Sequence, residues 1–310
     1  MTDQQPSNHE LSFAAVVFAM FLCVIFGSNA VAVKVAFSGI GVFTTAAIRF
    51  GIAAVAIYLW ARITGQNIAL KKGQIPQVLI FSALFTVQLS LFYLGLSKSN
   101  ASRGTLLVNL LPFFILFLAH FFIPGDRITR RKFLGILLGF TGVVFMFLDE
   151  EAIQAGFRTG DIIILCSVSV WSCNTIYLKR IISSFTPFHL VLYSTFFSVP
   201  LFLLGALLWD KAMVFRLDTT VICSLLYQSL ITASFGFVAW NTMLKKYGAV
   251  SLHSFMFIMP IAGVALGGLM LGEPISLKIL LSLAFIVFGI LVVNWHPKRE
   301  ASAYPIRRGI

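Results

Sequence analysis

Residues 26–34 read Phe26-Gly-Ser-Asn29-Ala-Val-Ala-Val-Lys34, and residues 171–179 read Trp171-Ser-Cys-Asn174-Thr-Ile-Tyr-Leu-Lys179. An aromatic residue, two small residues, an asparagine, four apolar or small residues and a lysine recur at an offset of 145. Ala101 through Pro112 likewise matches Ala249 through Pro260 at 148, and Gly125-Asp-Arg-Ile-Thr129 matches Gly272-Glu-Pro-Ile-Ser276 at 147. Small drifts in offset are what loop changes leave behind in a duplicated chain. The sequence is two related halves.

The surroundings of these stretches decide the solvent. Of 310 residues, 59% are apolar and only 11% charged, against roughly 25% charged in ordinary soluble domains. So few charges cannot cover a soluble protein of this size, and the chain belongs in lipid. A hydrocarbon core about 30 Å thick takes about 20 apolar residues per helix. Ten such runs are legible: 12–33, 42–61, 76–96, 102–122, 131–148, 160–179, 188–208, 220–243, 250–271 and 276–295. Ser12, Asp161 and Ser276 are read as helix starts, and Pro124–Gly125 and Gly272–Pro274 as breaks.

The expected fold is therefore an all-α integral membrane protein of ten transmembrane helices arranged as two five-helix repeats. Five is odd, so the second repeat enters the membrane inverted, the architecture of many secondary transporters. The expected parts are a cytoplasmic tail 1–11, a first repeat 12–148, an extracytoplasmic linker 149–159, a second repeat 160–295 and a basic cytoplasmic tail 296–310.

Charge supplies the orientation. Fifteen of the 23 Lys and Arg fall on the side of the termini and seven on the other, with Arg49 inside a run. The positive-inside rule then places both termini on the cytoplasmic side, and a bacterial inner membrane is the expected location. The net charge of +12 is scattered between apolar runs rather than gathered on a wet face, which argues against nucleic acid. The leader has no basic residue before Lys34, so the first run reads as an anchor rather than a cleaved signal. Cys23, Cys166, Cys173 and Cys223 all sit in apolar runs as small packing residues.

These stretches, with Arg49-Phe50 and the Gly272-Glu-Pro-Ile-Ser276 signature, resemble the EamA family of the drug/metabolite transporter superfamily. The resemblance spans about residues 12 to 295 and implies ten helices, cytoplasmic termini and movement of small organic solutes, often export of amino acids or other metabolites. The first half departs mildly, with Gly125-Asp126 where the family often has Gly-Glu and Phe26 where Trp is usual.

Candidate substrate residues follow from the cost of polar groups in lipid. Arg49 is an ionisable group about 10 Å deep at 1.5 Å per residue. No acidic residue is read in the middle of a run, so its fork is free to take a substrate carboxylate. Asn29 and Asn174 are repeat-equivalent amides beside small residues. Gln88, Asn109, Gln228 and Asn241 are further amides. Trp171, Trp240 and Tyr93 could stack on solute, and His253 lies a turn into the ninth run. Pro112 and Pro260 are repeat-equivalent hinge candidates. Small-x-x-x-small patterns at Gly135/Gly139, Gly263/Gly267 and Gly268/Gly272 permit close helix packing and do not identify a dimer face, and a homodimer is left open.

No protease signature, metal-ligand spacing or cofactor motif is present, so no cofactor and no enzyme activity is expected. Without a buried acid, coupling by a carboxylate relay is disfavoured against a facilitator or exchanger. Amino-acid-like solutes are the expected substrates. Efflux of lipophilic cations, and exchange of nucleotide sugars or phosphate esters, are the alternatives.

Overall fold

The computed structural model describes residues 12–122, 129–148, 156–253 and 255–294, and the expected tails 1–11 and 296–310 and linker residues 149–155 lie outside these. The helices are α1 (Phe13–Gly27), α2 (Asn29–Ala36), α3 (Val42–Ile63), α4 (Ile75–Ser97), α5 (Ala101–Val108), α6 (Leu111–Phe122), α7 (Arg130–Phe147) and α8 (Phe157–Ile181). They continue with α9 (Pro187–Trp209), α10 (Thr219–Leu226), a π-helical stretch Tyr227–Gly236, α11 (Phe237–His253), α12 (Ile258–Leu271) and α13 (Leu277–Asn294). No strand occurs among the described residues; one isolated bridge joins Ile40 to Val214.

Eight helical stretches among the described residues are long and apolar enough to cross a membrane. They correspond to the first four expected runs, to the sixth through eighth and to the tenth. The fifth is present as α7, whose opening turn carries Arg130, Arg131 and Lys132. The ninth is reduced to the 14-residue α12. Side chains such as Phe13, Ile63, Phe121, Leu207 and Leu269 stand exposed around the bundle. A water-facing surface does not carry apolar patches of this extent, whereas a lipid-facing one requires them.

Helix starts follow the expected chemistry in several places. Ser12 Oγ accepts the Ala15 N–H at 3.3 Å, Thr129 caps α7, and Thr186 followed by Pro187 opens α9. Ser276 Oγ accepts the Ile279 N–H at 3.2 Å. Asp161 departs from the expectation. Its helix already begins at Phe157, and its carboxylate turns into the protein interior. The loop read between 243 and 250 is also helical, since α11 runs on to His253; two lysines are good helix formers and do not end a helix.

Three membrane runs are irregular. The first breaks at Ser28, between α1 and α2, and the fourth breaks at Asn109–Leu110, between α5 and α6. The eighth widens through Tyr227–Gly236, where the Ser234 hydroxyl donates to the Ser229 carbonyl five residues back. Such widened turns are frequent at functional sites.

Contacts define two ends. Residues 34–44, 96–103, 158–161, 210–216 and 273 meet at one, the far end; residues 60–77, 180–193, 242–247 and Phe18 meet at the other, the terminus end. The stripes Gly135/Gly139 and Gly263/Gly267 are buried inside the chain, whereas Gly268 is half-buried and Gly272 exposed. Gly135 lies against Gly289 and Val293, and a methyl built on either glycine would come within 2.8 Å of the other's carbonyl. Gly263 faces Thr105, Gly267 faces Ser102 and Gly268 faces Ile275, so these patterns serve packing within one chain.

Candidate substrate site

Along α3 the residues Ala46, Arg49, Phe50 and Ala53 follow helical spacing, and all four are buried. The stripe that packs the helix inward therefore carries Arg49 with it, to 2% exposure. Arg49 Nη1 donates to the Tyr93 hydroxyl at 3.0 Å, and its guanidinium carbon lies 5.0 Å from the Phe50 ring centre. Arg49 Nε has no hydrogen-bond partner. Tyr93, fully buried on α4, donates in turn to Gln228 Oε1 at 3.3 Å, and Gln228 Nε2 is again without a partner. Arg49, Tyr93 and Gln228 thus form one chain of hydrogen bonds across three membrane runs. Its last member sits on the widened segment.

The break in the first run lies beside it. Ser28 Oγ and the Tyr227 hydroxyl meet at 2.5 Å, and both reach the Ile25 carbonyl. Tyr227 is the neighbour of Gln228, so the interrupted helix and the widened one face each other. Asn29, the first residue after the break, has an unpartnered Oδ1. Thr232 Oγ1, one turn beyond Gln228, is unpartnered too. Broken membrane helices with freed polar groups are where secondary transporters bind solute.

The other expected residues divide by what they touch. Asn174 Nδ2 donates to Gln88 Oε1 at 3.1 Å while Asn174 Oδ1 is unpartnered, joining α8 to α4. Asn109 and Asn241 bond the carbonyls of Thr105 and Phe237 in their own helices, at 2.8 and 2.7 Å. Trp240 packs edge-on against Phe26 at 5.8 Å, and Trp171 is half-buried on α8. Pro112 and Pro260 stand in the first turns of α6 and α12, each just after an interruption. His253 ends α11, and its side chain lies outside the described residues.

The far end brings together charged groups from the run ends and the connecting loops. Asp161 and Arg103 are 0% and 1% exposed and form an ion pair. The Asp161 carboxylate accepts from Arg103 Nε at 2.9 Å and from Ser99 Oγ at 2.6 Å. Glu273 accepts from the amides of Ala101 and Ser102 and from the Ser102 hydroxyl, at 2.6 to 2.8 Å, which caps α5. Asp210 accepts from the Phe43 and Thr44 amides and the Thr44 hydroxyl, which caps α3. Lys34 Nζ donates to the Leu96 and Ser99 carbonyls. Each of the three carboxylates belongs to the second half, and each holds a first-half group. Opposite charges at the second positions of the runs 102–122 and 160–179 are the sequence sign of the Arg103–Asp161 pair.

The terminus end is built differently. A cavity of about 480 Å³ is walled by Phe18, Trp60, Phe188 and Phe235, with exposed Thr64, Gln66 and Lys246 at its rim. Trp60 lies eleven residues from Arg49 on the same helix, or about 16 Å at 1.5 Å per residue. Here the ties between halves among the described residues involve no carboxylate: Gln74 to the Ser184 carbonyl, Tyr193 to the Ile68 carbonyl and Arg180 to the Phe122 carbonyl.

An apolar helical bundle with unpartnered polar groups inside it, closed at one end and hollow at the other, has the build of a membrane transporter. The sequence profile of the EamA-like transporter family matches residues 13–148 and again 158–295, and the chain belongs to that family. It is 25% identical to the "probable amino-acid metabolite efflux pump" of Escherichia coli strain K12, over 89% of this chain and 93% of that one. The protein of the same description from Salmonella typhimurium is 26% identical, over 88% and 92%. An uncharacterised transporter of Archaeoglobus fulgidus is 27% identical, over 80% and 87%. A protein of known crystal structure superposes with a TM-score of 0.68 at 16% identity, over 91% of this chain and 96% of that one, which speaks for the fold.

Proposed function

We propose that this chain is a secondary carrier that exports amino-acid-like solutes, in which Arg49 takes the substrate carboxylate. The observation that carries the reading is the chain Arg49–Tyr93–Gln228. It offers a buried guanidinium with an unpartnered Nε and an amide with an unpartnered Nε2, with no acid bound to either among the described residues. A lipophilic cation would meet the wrong charge there, and one guanidinium is sparse for a phosphate ester. The Escherichia coli and Salmonella relatives, each described as a probable amino-acid metabolite efflux pump, support the same substrate class.

The carrier consists of ten crossings in two inverted five-helix repeats, 12–148 and 160–295, with both termini on the cytoplasmic face of a bacterial inner membrane. The terminus end then faces the cytoplasm, and the cavity beside Trp60 and Lys246 is the entry. The far end is the release side. Release requires the ties through Asp161, Asp210 and Glu273 to part as one half rocks against the other, with the breaks before Pro112 and Pro260 as flexure points. The partners are a small solute and the bilayer, with homodimerisation left open, and no cofactor takes part.

Counterflow in proteoliposomes loaded with amino acids, nucleosides, sugar phosphates or lipophilic cations tests the reading. Amino-acid-like carboxylates should accelerate exchange. Arg49→Ala should lower that rate by about 10- to 150-fold, the equivalent of a hydrogen bond to a charged group worth about 1.5–3 kcal/mol. A monodisperse Arg49→Ala protein that carries carboxylates at the parent rate overturns the assignment, as does acceleration by cations alone.

A further inference from the structure

From the guanidinium of Arg49, buried against a neutral hydroxyl and an aromatic face, we infer that the transported species is a net monoanion, a carboxylate whose amino nitrogen is acylated or otherwise neutral, and that its export is driven by the membrane potential without a coupling ion. This rests on the carboxylate reading of Arg49 and goes further, because a zwitterion and a monoanion both carry a carboxylate.

The argument begins with the charges. Arg103 is matched by Asp161. Glu273 and Asp210 sit on helix N-termini, where the amides of Ala101 and Ser102, and of Phe43 and Thr44, receive them. Arg49 is different: among the described residues its contacts are a neutral hydroxyl and an aromatic face, at 2% exposure. A guanidinium stays protonated under all ordinary conditions, so this site cannot shed its charge as a buried lysine would. An unpaired charge in a low-dielectric interior is costly, and the ligand that relieves it best brings one net negative charge. A zwitterion relieves it less, because its ammonium returns a positive charge to the same pocket.

The neighbouring orphan atoms agree. Asn29 Oδ1 is an acceptor without a donor, on the run that meets Tyr227. A neutral amide oxygen suits an N–H of an acylated nitrogen. An ammonium in a buried site calls for a carboxylate, and the described contacts around Arg49, Tyr93 and Gln228 include none.

A drive follows from the charge. One elementary charge crossing about 100 mV sustains a gradient of roughly 50-fold at equilibrium. In a cell negative inside, an anion is expelled by that potential alone. Export on this drive requires no proton relay.

The test uses matched sets of glycine, leucine, methionine and phenylalanine, each as the free amino acid, the N-acetyl derivative and the amide. Proteoliposomes of the full-length carrier are loaded with each, and counterflow is measured. Efflux is then timed with and without a potassium diffusion potential, inside negative, set by valinomycin. An N-acetyl derivative should accelerate counterflow at least tenfold over its parent amino acid, and the potential should speed its efflux severalfold. Arg49→Gln should abolish both effects, and Arg49→Lys, which keeps the charge, should retain the potential dependence at a lower rate. Acceleration by free amino acids with no response to potential overturns this inference and leaves the carboxylate reading standing. Acceleration by the amides alone, or by none of the set, removes both.

Discussion

Removing one member of the Arg103–Asp161 pair should unsettle the protein more than removing both. The two side chains are 1% and 0% exposed, and Asp161 is held by Arg103 Nε at 2.9 Å and Ser99 Oγ at 2.6 Å. Deleting one partner strands the other charge in the interior, which costs about 3–5 kcal/mol, whereas replacing both by apolar groups of similar volume is close to neutral. Arg103→Met and Asp161→Leu should each destabilise by that amount, and the double variant R103M/D161L should recover most of it. On the scale of globular chains, about 2–4 °C per kcal/mol, each single variant melts about 6–20 °C below the parent. Thermal unfolding of detergent-solubilised protein, followed by the loss of the monodisperse peak, measures all four corners of the cycle. The reasoning fails if a single variant melts within a degree or two of the parent. It fails equally if the double variant melts as low as the two single losses added together, since the residues would then act independently.

Two further outcomes are expected. Gly135→Ala puts a methyl 2.4 Å from Val293 Cγ2 and 2.8 Å from the Gly289 carbonyl, an overpacking worth about 1–3 kcal/mol and visible in the same melting assay. Asp218 lies outside the membrane runs, where the Val221 N–H, the largest influence, holds its carboxyl below the usual carboxylate range, with Arg216 adding to the effect. A lowered folded-state value means the cap contributes fully above pH about 3.9 and is lost as pH falls through the lower value. The stability gap between the parent and Asp218→Asn should hold constant from neutral pH to about pH 5 and close in stronger acid; a gap that widens on acidification contradicts the assignment.

The membrane class, the two halves and most helix positions were legible because hydrophobic runs and repeated motifs are local in sequence. Arg49 was legible because a charge inside an apolar run stands out. Its partner Tyr93 reads from the sequence as an aromatic for stacking, and nothing local shows that its hydroxyl bridges Arg49 to Gln228, 135 positions beyond Tyr93. Asp161 was misread as a helix start because four residues ahead of it also fold as helix, which turns the carboxylate inward toward Arg103. Glu273 and Asp210 escaped for a related reason. Each caps a helix far from it in sequence, and a capping signal is recognisable only when cap and helix adjoin. The Ser28 break carried a hint in Gly27–Ser28, whereas nothing in the run Tyr227–Gly236 marks the wider turn.

The caps at the far end also bear on how the chain is made. Synthesis proceeds from the N-terminus, so α3 and α5 are complete long before the acids that finish them. The α5 amides wait for Glu273, 172 positions later, and those of α3 wait for Asp210, 166 positions beyond Thr44. Until then the first half holds two helix starts with unanswered N–H groups and an Arg103 without Asp161. It is a template finished by its own duplicate, and Glu273 supplies the last of the three carboxylates only when nearly nine-tenths of the chain has been made.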